Sequence, residues 1–269
     1  MHWLVQRKRV FTHSKFMIHF LSIPFDQSPS LKSGIAPIYL ALLGFVVFWF
    51  ISKSEGVKAH YFKKYPSDTA WLRFIYMTKW VGFLSMGLLP LLFLLATEPQ
   101  RSIAYYGLNF RSDTLFFNLV ATSGLSLILM PLAAFSAKKT KNLVNYPQIR
   151  ALRWDTKTFR LNLLGWVIYL FGYELLFRGI LLFPLVEAYG VWLTIAINVA
   201  LYSATHIPKG FDETIGAVPL GFLLCLLTLM AGNIWIAFLV HVAMAWTNSL
   251  TALKHHPDIH YSKWQKNAS

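Results

Sequence analysis

The chain has 269 residues, of which 56% are hydrophobic and only 13% charged, and its formal net charge is +14. Soluble domains carry about 25% charged residues, so no soluble core is needed to explain this chain; it reads as an all-α, polytopic transmembrane helix bundle. Its single cysteine, Cys225, rules out an intrachain disulfide. Its lysines and arginines gather between apolar runs, as membrane anchors do, and give no support to nucleic-acid binding.

Residues 1–34 form a basic segment. Arg7, Lys8 and Arg9 precede a stretch from Val10 to Phe25 that is broken by His13, Lys15 and His19. That stretch lacks the uninterrupted apolar run and small-residue cleavage site of a signal peptide, and reads as an interfacial amphipathic segment. Residues 35–253 form one helix-bundle domain of about seven crossings: Ile35 to Ser52, Phe74 to Thr97, Asp113 to Phe135, Leu161 to Phe183, Val186 to His206, Ile215 to Ala231 and Ile234 to Leu253. The stretch from Lys53 to Arg73 reads as a loop, and Asp113 sits near a helix N-cap position. Lys79, near the start of the second crossing, is placed to snorkel to the interface. Residues 254–269 read as a polar, solvated tail, in which Pro257 and Asp258 break any helical ligand spacing between His255, His256 and His260.

Basic residues are unequally shared. With seven crossings, the odd-numbered loops and the tail hold sixteen lysines and arginines and the opposite side seven. The positive-inside rule then places the odd loops and the tail in the cytoplasm. The Arg7-Lys8-Arg9 cluster conflicts with an outside N-terminus, and an extra membrane segment from Val10 to Phe25 would remove the conflict.

The chemistry centres on the stretch Gly172-Tyr173-Glu174-Leu175-Leu176-Phe177-Arg178-Gly179, inside the fourth crossing. Ionisable groups within a membrane are expensive and mark function by default. Glu174 and Arg178 lie four apart, so on a helix they share a face and can neutralise each other; the alternative is an ion pair that only pins helix packing. His206 in the fifth crossing and His241 in the seventh join Glu174 to make one carboxylate and two imidazoles from three helices, a set able to bind a metal or activate a water. Asn198 and Tyr202 lie on the same helical stripe as His206. Tyr202 is placed either to orient the His206 ring or to anchor a helix end at the interface. No His-Glu-x-x-His motif, Gly-x-Ser-x-Gly elbow or Gly-rich phosphate loop is present.

Taken in order, Glu174-x-x-Phe177-Arg178-Gly179, Tyr202-x-x-x-His206 and His241 in a later apolar helix resemble the CPBP intramembrane protease family. That family includes the CAAX prenyl endopeptidases and proteins implicated in bacteriocin processing and immunity. Its motifs are Glu-Glu-x-x-x-Arg, Phe-x-x-x-His and His-x-x-x-Asn or Asp, and the resemblance spans roughly Leu161 to Leu253. Carried over position by position, the family's second Glu falls on Glu174, its Arg on Arg178 and its two histidines on His206 and His241. The first Glu, taken in the family as the residue that activates water with the first His, falls on Tyr173, and the third motif's Asn or Asp on Ala245. Asn248 lies on the same face as His241 but about 10 Å further along the helix.

The resemblance implies an intramembrane endopeptidase acting on a membrane-associated peptide or protein, embedded in lipid and placed in the bacterial plasma membrane. The candidate catalytic residues are Glu174, His206, His241 and Arg178, with Tyr173 and Tyr202 in support. Glu174 would act as base on a water held with His206, and His241 would stabilise the oxyanion. Glu174, His206 and His241 are also the candidate ligands of a divalent metal such as zinc, although a metal-free, Glu/His-activated water fits equally well. The departures at Tyr173 and Ala245 favour an alternative: a non-catalytic scaffold that binds a membrane peptide or protein. A transporter would show paired broken helices, and no such symmetry is visible. The orientation is testable. A cysteine placed near Asn142, with Cys225 removed, is expected to resist impermeant thiol reagents in intact cells; efficient labelling from outside would reverse the topology.

Overall fold

Every backbone N–H and C=O that crosses lipid must find its partner within the protein, and a helix does this inside one segment. The computed structural model of the chain describes residues 29–265, and helices account for most of them. Seven of the described helices are long and apolar enough to cross a bilayer, and the chain is an integral membrane protein. The amphipathic segment expected between Val10 and Phe25 lies outside the described residues.

In chain order the helices are α1 (Pro29–Lys53), α2 (Glu55–Lys64), α3 (Ser67–Thr97), α4 (Ser112–Ala137), α5 (Thr156–Tyr189), α6 (Val191–Ala204), α7 (Phe211–Ala231) and α8 (Trp235–His255). The stretch expected to be the first loop is thus mostly helical. The Ser54 side chain accepts the Val57 N–H to cap α2, Lys63 and Lys64 sit at its negative C-terminal end, and α3 starts as early as Ser67. Asp113 lies in the first turn of α4 beside Arg111, which holds the N-cap position instead.

The fourth and fifth crossings differ most from expectation. Asp155 caps α5 by accepting the Thr158 N–H at 2.7 Å, a bond that also holds its carboxyl below the ordinary aspartate range. The helix then runs to Tyr189 and ends at Gly190, whose φ is +77°. Val186 therefore belongs to α5, and the fifth crossing begins at Val191 rather than Val186. Glu187 and Tyr189 interrupt the apolar run just before the corner, and Gly190 supplies the positive φ that turns it.

Helix α5 is the hub of the bundle. In its most apolar membrane-length window 72% of residues are buried, against 0% in that of α4. Helix α4 packs on α8 and turns Phe116, Leu127 and Phe135 outward, as a lipid-facing helix does. The core around α5 gathers Tyr173, Leu176, Phe177, Ile180 and Leu181 with Met86 and Leu94 of α3 and Tyr202 of α6. A buried Asn162–Ser249 hydrogen bond of 3.1 Å joins α5 to α8.

Both α3 and α5 change to π-helical winding midway, at Phe83–Leu88 and Leu175–Leu181. The two helices meet where glycine removes the side chain. A Cβ on Gly87 would stand 2.7 Å from the Gly172 Cα, and one on Gly172 would stand 2.6 Å from the Phe83 Cα. Such contacts let backbones touch and are the main means of helix association where lipid is as apolar as the side chains.

The described part of the C-terminal tail is not simply solvated. His260–Tyr261 (β2) pairs in parallel with Arg153–Trp154 (β1). Ile259 and Tyr261 enter a cluster with Trp154, Ile149 and Leu253. Two apolar side chains in a polar-looking stretch are enough to seat the tail, and His255 and His260 remain exposed on it.

The glycine crossing makes a direct prediction. Gly172→Val forces the α3 and α5 backbones apart, and over-packing of this kind costs about 1–3 kcal/mol or more. Its melting temperature in detergent should fall well below that of Gly124→Ala, because a Cβ on Gly124 meets nothing within 4 Å. Equal melting temperatures for the two variants would show that the close crossing carries no stability.

Candidate active site

Consecutive residues on a helix point about 100° apart, and α5 uses this to divide Tyr173 from Glu174. Tyr173 lines a cavity of about 440 Å³. Glu174 faces the helix core, is 0% exposed, and does not line the cavity.

A carboxylate so placed needs full compensation, because an uncompensated buried charge is among the costliest defects a fold can carry. Two groups neutralise its charge, while Oε2 and Arg178 Nε face each other without a hydrogen bond. Glu174 Oε1 bonds to His241 Nδ1 of α8, and Oε2 lies 3.4 Å from Arg178 Nε, with both side chains of that ion pair fully buried. Arg178 is held in turn by α6 and α7. Its Nη1 donates to Asn198 Oδ1 at 2.6 Å and lies 3.5 Å from Cys225 Sγ, and the guanidinium stands 4.8 Å from the centre of the Tyr202 ring. Asn198 closes the circuit by donating its Nδ2 to the Phe177 carbonyl at 2.6 Å, inside the π-helical stretch.

The proton positions follow from which partners can only accept. His241 Nδ1 faces a carboxylate, so it carries the hydrogen. Its Nε2 lies 2.9 Å from the Tyr202 hydroxyl and, in the neutral ring, accepts that hydrogen. Glu174 and Arg178 then cancel in charge, and His241 completes the cluster without adding to it.

His206 belongs to a second chain of contacts. Its Nδ1 lies 2.9 Å from the Tyr202 carbonyl, which can only accept, so Nδ1 carries the hydrogen and Nε2 the lone pair. The Thr205 hydroxyl also donates to that carbonyl, at 2.7 Å. With the threonine hydrogen committed, Tyr173 donates its phenolic hydrogen to Thr205 Oγ1 at 2.8 Å. Tyr173, Thr205, His206 and His241 all line the cavity, as do Ala245 and Asn248.

The other lining residues show where the cavity opens. Lys53, Gln148, Arg150, Lys209 and Glu213 sit in or beside the odd-numbered loops, the side that carries the basic excess. At this mouth burial lowers the pKa of the Arg150 guanidinium. Arg150 donates to His256 Nε2 at 3.0 Å, and burial, then the arginine charge, keeps that imidazole below its usual value.

The structure therefore brings Glu174, Arg178 and His241 together and seats His206 in a different set of contacts. The three-ligand metal site does not form in this arrangement. Among the described residues no three His, Cys, Asp or Glu side chains converge to hold a metal. Glu174 is taken up by Arg178 and His241, and both His241 nitrogens have protein partners. The donor set present does not fit a metal.

Tyr202 is fully buried rather than interfacial, and its hydroxyl orients His241 and not His206; its backbone carbonyl is what holds His206. Lys79 does not snorkel. It is 5% exposed, its Nζ donates to Gln148 Oε1 at 2.6 Å, and it stands over the Trp166 ring. Sequence reasoning passed over Thr205, whose only signal was a hydroxyl next to a candidate histidine. It misread Lys79 because α3 starts earlier than hydropathy indicated.

Fold and site together define an integral membrane helix bundle with a buried Glu–Arg–His cluster beside a polar cavity. Residues 156–247, the region from the start of α5 to just past His241, match the family model described as type II CAAX prenyl endopeptidase Rce1-like. This match covers about a third of the chain and falls on the stretch whose motifs resemble the CPBP family. Comparison with curated proteins and with solved structures gave no match.

Arg178→Ala would leave Glu174 with His241 alone in an apolar interior. It is expected to destabilise the protein by about 3–5 kcal/mol, read as a large drop in detergent melting temperature. A melting temperature equal to that of the parent would mean that the pair is not the neutralising element.

Proposed function

We propose that this chain is an intramembrane endopeptidase of the CAAX-protease type that hydrolyses a peptide bond of a membrane-associated substrate, with His206 as the base that activates water. The observation that carries this reading is the His206 ring: its Nδ1–H is committed to the Tyr202 carbonyl, which leaves Nε2 as the acceptor of a cavity-lining imidazole. Nε2 takes a proton from water, and the hydroxide oxygen bonds to the scissile carbonyl carbon. The protonated ring then gives that proton to the amine as the C–N bond breaks. Tyr173, at the place of the family's first Glu, has a phenol near pKa 10 in its ordinary state. It is therefore no base; its one hydrogen holds the Thr205 hydroxyl beside His206 and reaches a developing oxyanion only by leaving that bond. Glu174 acts through His241 as a positioning residue, and Arg178 acts through Glu174. The charge asymmetry supports a cavity open to the cytoplasm.

A second reading is favoured by one specific observation. Among the described residues no carboxylate bonds to His206; the matching family position holds Tyr173, and Glu174 is turned into the core. On that reading the bundle binds a peptide and does not cut it.

Cleavage of a membrane-anchored reporter peptide in proteoliposomes separates the two. His206→Gln should lower turnover by roughly 10²-fold or more, and Tyr173→Phe should cost less. Glu174→Gln should impair turnover and folding together, since it strands the Arg178 charge. A chelator should leave the rate unchanged, because the donor set does not converge. If His206→Gln cleaves like the parent, the assigned base is wrong. If the parent never cleaves but Tyr173→Glu combined with Ala245→Asn does, the chain is a binding scaffold.

A further inference from the structure

Among the described residues, Lys79 is the one buried lysine, and the proposed chemistry leaves it unused. It is 5% exposed and lines the same cavity as His206 and His241, yet among the described residues no carboxylate pairs with it. Its Nζ is held by neutral groups: Gln148 Oε1 at 2.6 Å, the Trp166 ring centre at 3.2 Å and the Tyr169 ring centre at 4.8 Å. Cation–π contacts of this kind hold an ammonium in place without cancelling its charge. An ammonium carries three donors; one goes to Gln148 Oε1, and the Trp166 and Tyr169 ring faces supply no conventional acceptor atom for the others.

The rest of the lining adds to the imbalance. Lys53, Arg150 and Lys209 also border the cavity, against one carboxylate, Glu213, which lies 3.9 Å from Lys209. A buried cation without a counter-ion is unfavourable unless a ligand supplies one. The cavity has the size of a small-ligand pocket, and its other polar groups, Tyr173, Thr205 and His206, suit a peptide.

We propose that Lys79, oriented by Gln148 and the Trp166 face, is the carboxylate-binding subsite of this cavity and fixes how a peptide lies beside His206. The carboxylate is supplied by a peptide's C-terminus or by an acidic side chain; a lipid phosphate is the competing occupant. That the ligand is a peptide rests on the reading under Proposed function, but binding does not require cleavage.

The test is made on full-length His206→Gln protein in phosphatidylcholine nanodiscs, so it stands whether or not the parent cuts. Binding is measured for one acyl-anchored hydrophobic peptide in three forms: free acid, C-terminal amide, and amide with one internal glutamate. The free acid should bind roughly tenfold or more tighter than the plain amide, in keeping with a charge-assisted hydrogen bond. Tight binding of the glutamate form as well would assign the site to carboxylates in general, and tight binding of that form alone to acidic side chains.

Adding Lys79→Met should bring the three forms within about twofold of one another, while Lys79→Arg should keep the preference. Equal binding of all three forms with Lys79 in place would overturn the proposal, and that comparison needs no variant at Lys79 to fold. A preference that survives Lys79→Met would also overturn it. So would displacement of the acid peptide by lysophosphatidylglycerol at lower concentration than by the peptide itself, which would mark a lipid headgroup site.

Discussion

A carboxylate with no access to water must be neutralised by the protein, and much of this molecule follows from how Glu174 meets that demand. Its two oxygens are divided between Arg178 on the same helix and His241 on α8. Each partner then needs holders of its own. Asn198 and Cys225 bring α6 and α7 to the arginine, and Tyr202 brings α6 to the histidine. Four helices are thereby tied through one charge-neutral cluster. Removing one member of such a cluster strands the others, which costs far more than the cluster's net contribution to stability, so the packing of these four helices depends on all of its members.

The same cluster governs what faces the cavity. Helical geometry separates Tyr173 from Glu174 by about 100°; with Glu174 anchored in the core, Tyr173 is directed to the cavity wall. The rotation of α5 is set from the other side by the glycine crossing with α3, where Gly172 lies against Phe83 and Gly87. The π-helical stretch that begins at Leu175 follows that crossing and contains Arg178, and Asn198 satisfies the Phe177 carbonyl within it. Such π-bulges are frequent at functional sites because they re-aim side chains without ending the helix.

What could be read from the sequence was whatever depends on local pattern. The seven apolar runs, the four-residue spacing of Glu174 and Arg178, and the depth of His241 all survive in the structure. The corner at Gly190 was misplaced by a few residues because α5 carries on past the end of its apolar run, through Glu187 to Tyr189, and hydropathy does not register the last turn of a helix that leaves the apolar layer. The partner of Tyr202 was hidden for another reason. A hydroxyl one turn from His206 also reaches α8, and only tertiary packing decides between the two. Lys79 shows the limit of interfacial reasoning: snorkelling assumes that a lysine near a helix end looks toward headgroups, whereas here a water-accessible cleft reaches into the bundle and offers it an indole and an amide.

The pairing of β2 with β1 ties the chain beyond α8 to the loop that precedes α5. That loop contributes Gln148 and Arg150 to the cavity wall, and Arg150 also meets His256. The last described residues therefore work as a clasp on the doorway rather than as an overhang. An affinity tag fused there, or a protease that trims there, acts on the entrance itself, and Ile259 and Tyr261 give it a grip on the core around Trp154. A pull on that end is passed through the β1–β2 pairing to the loop that carries Gln148 and Arg150.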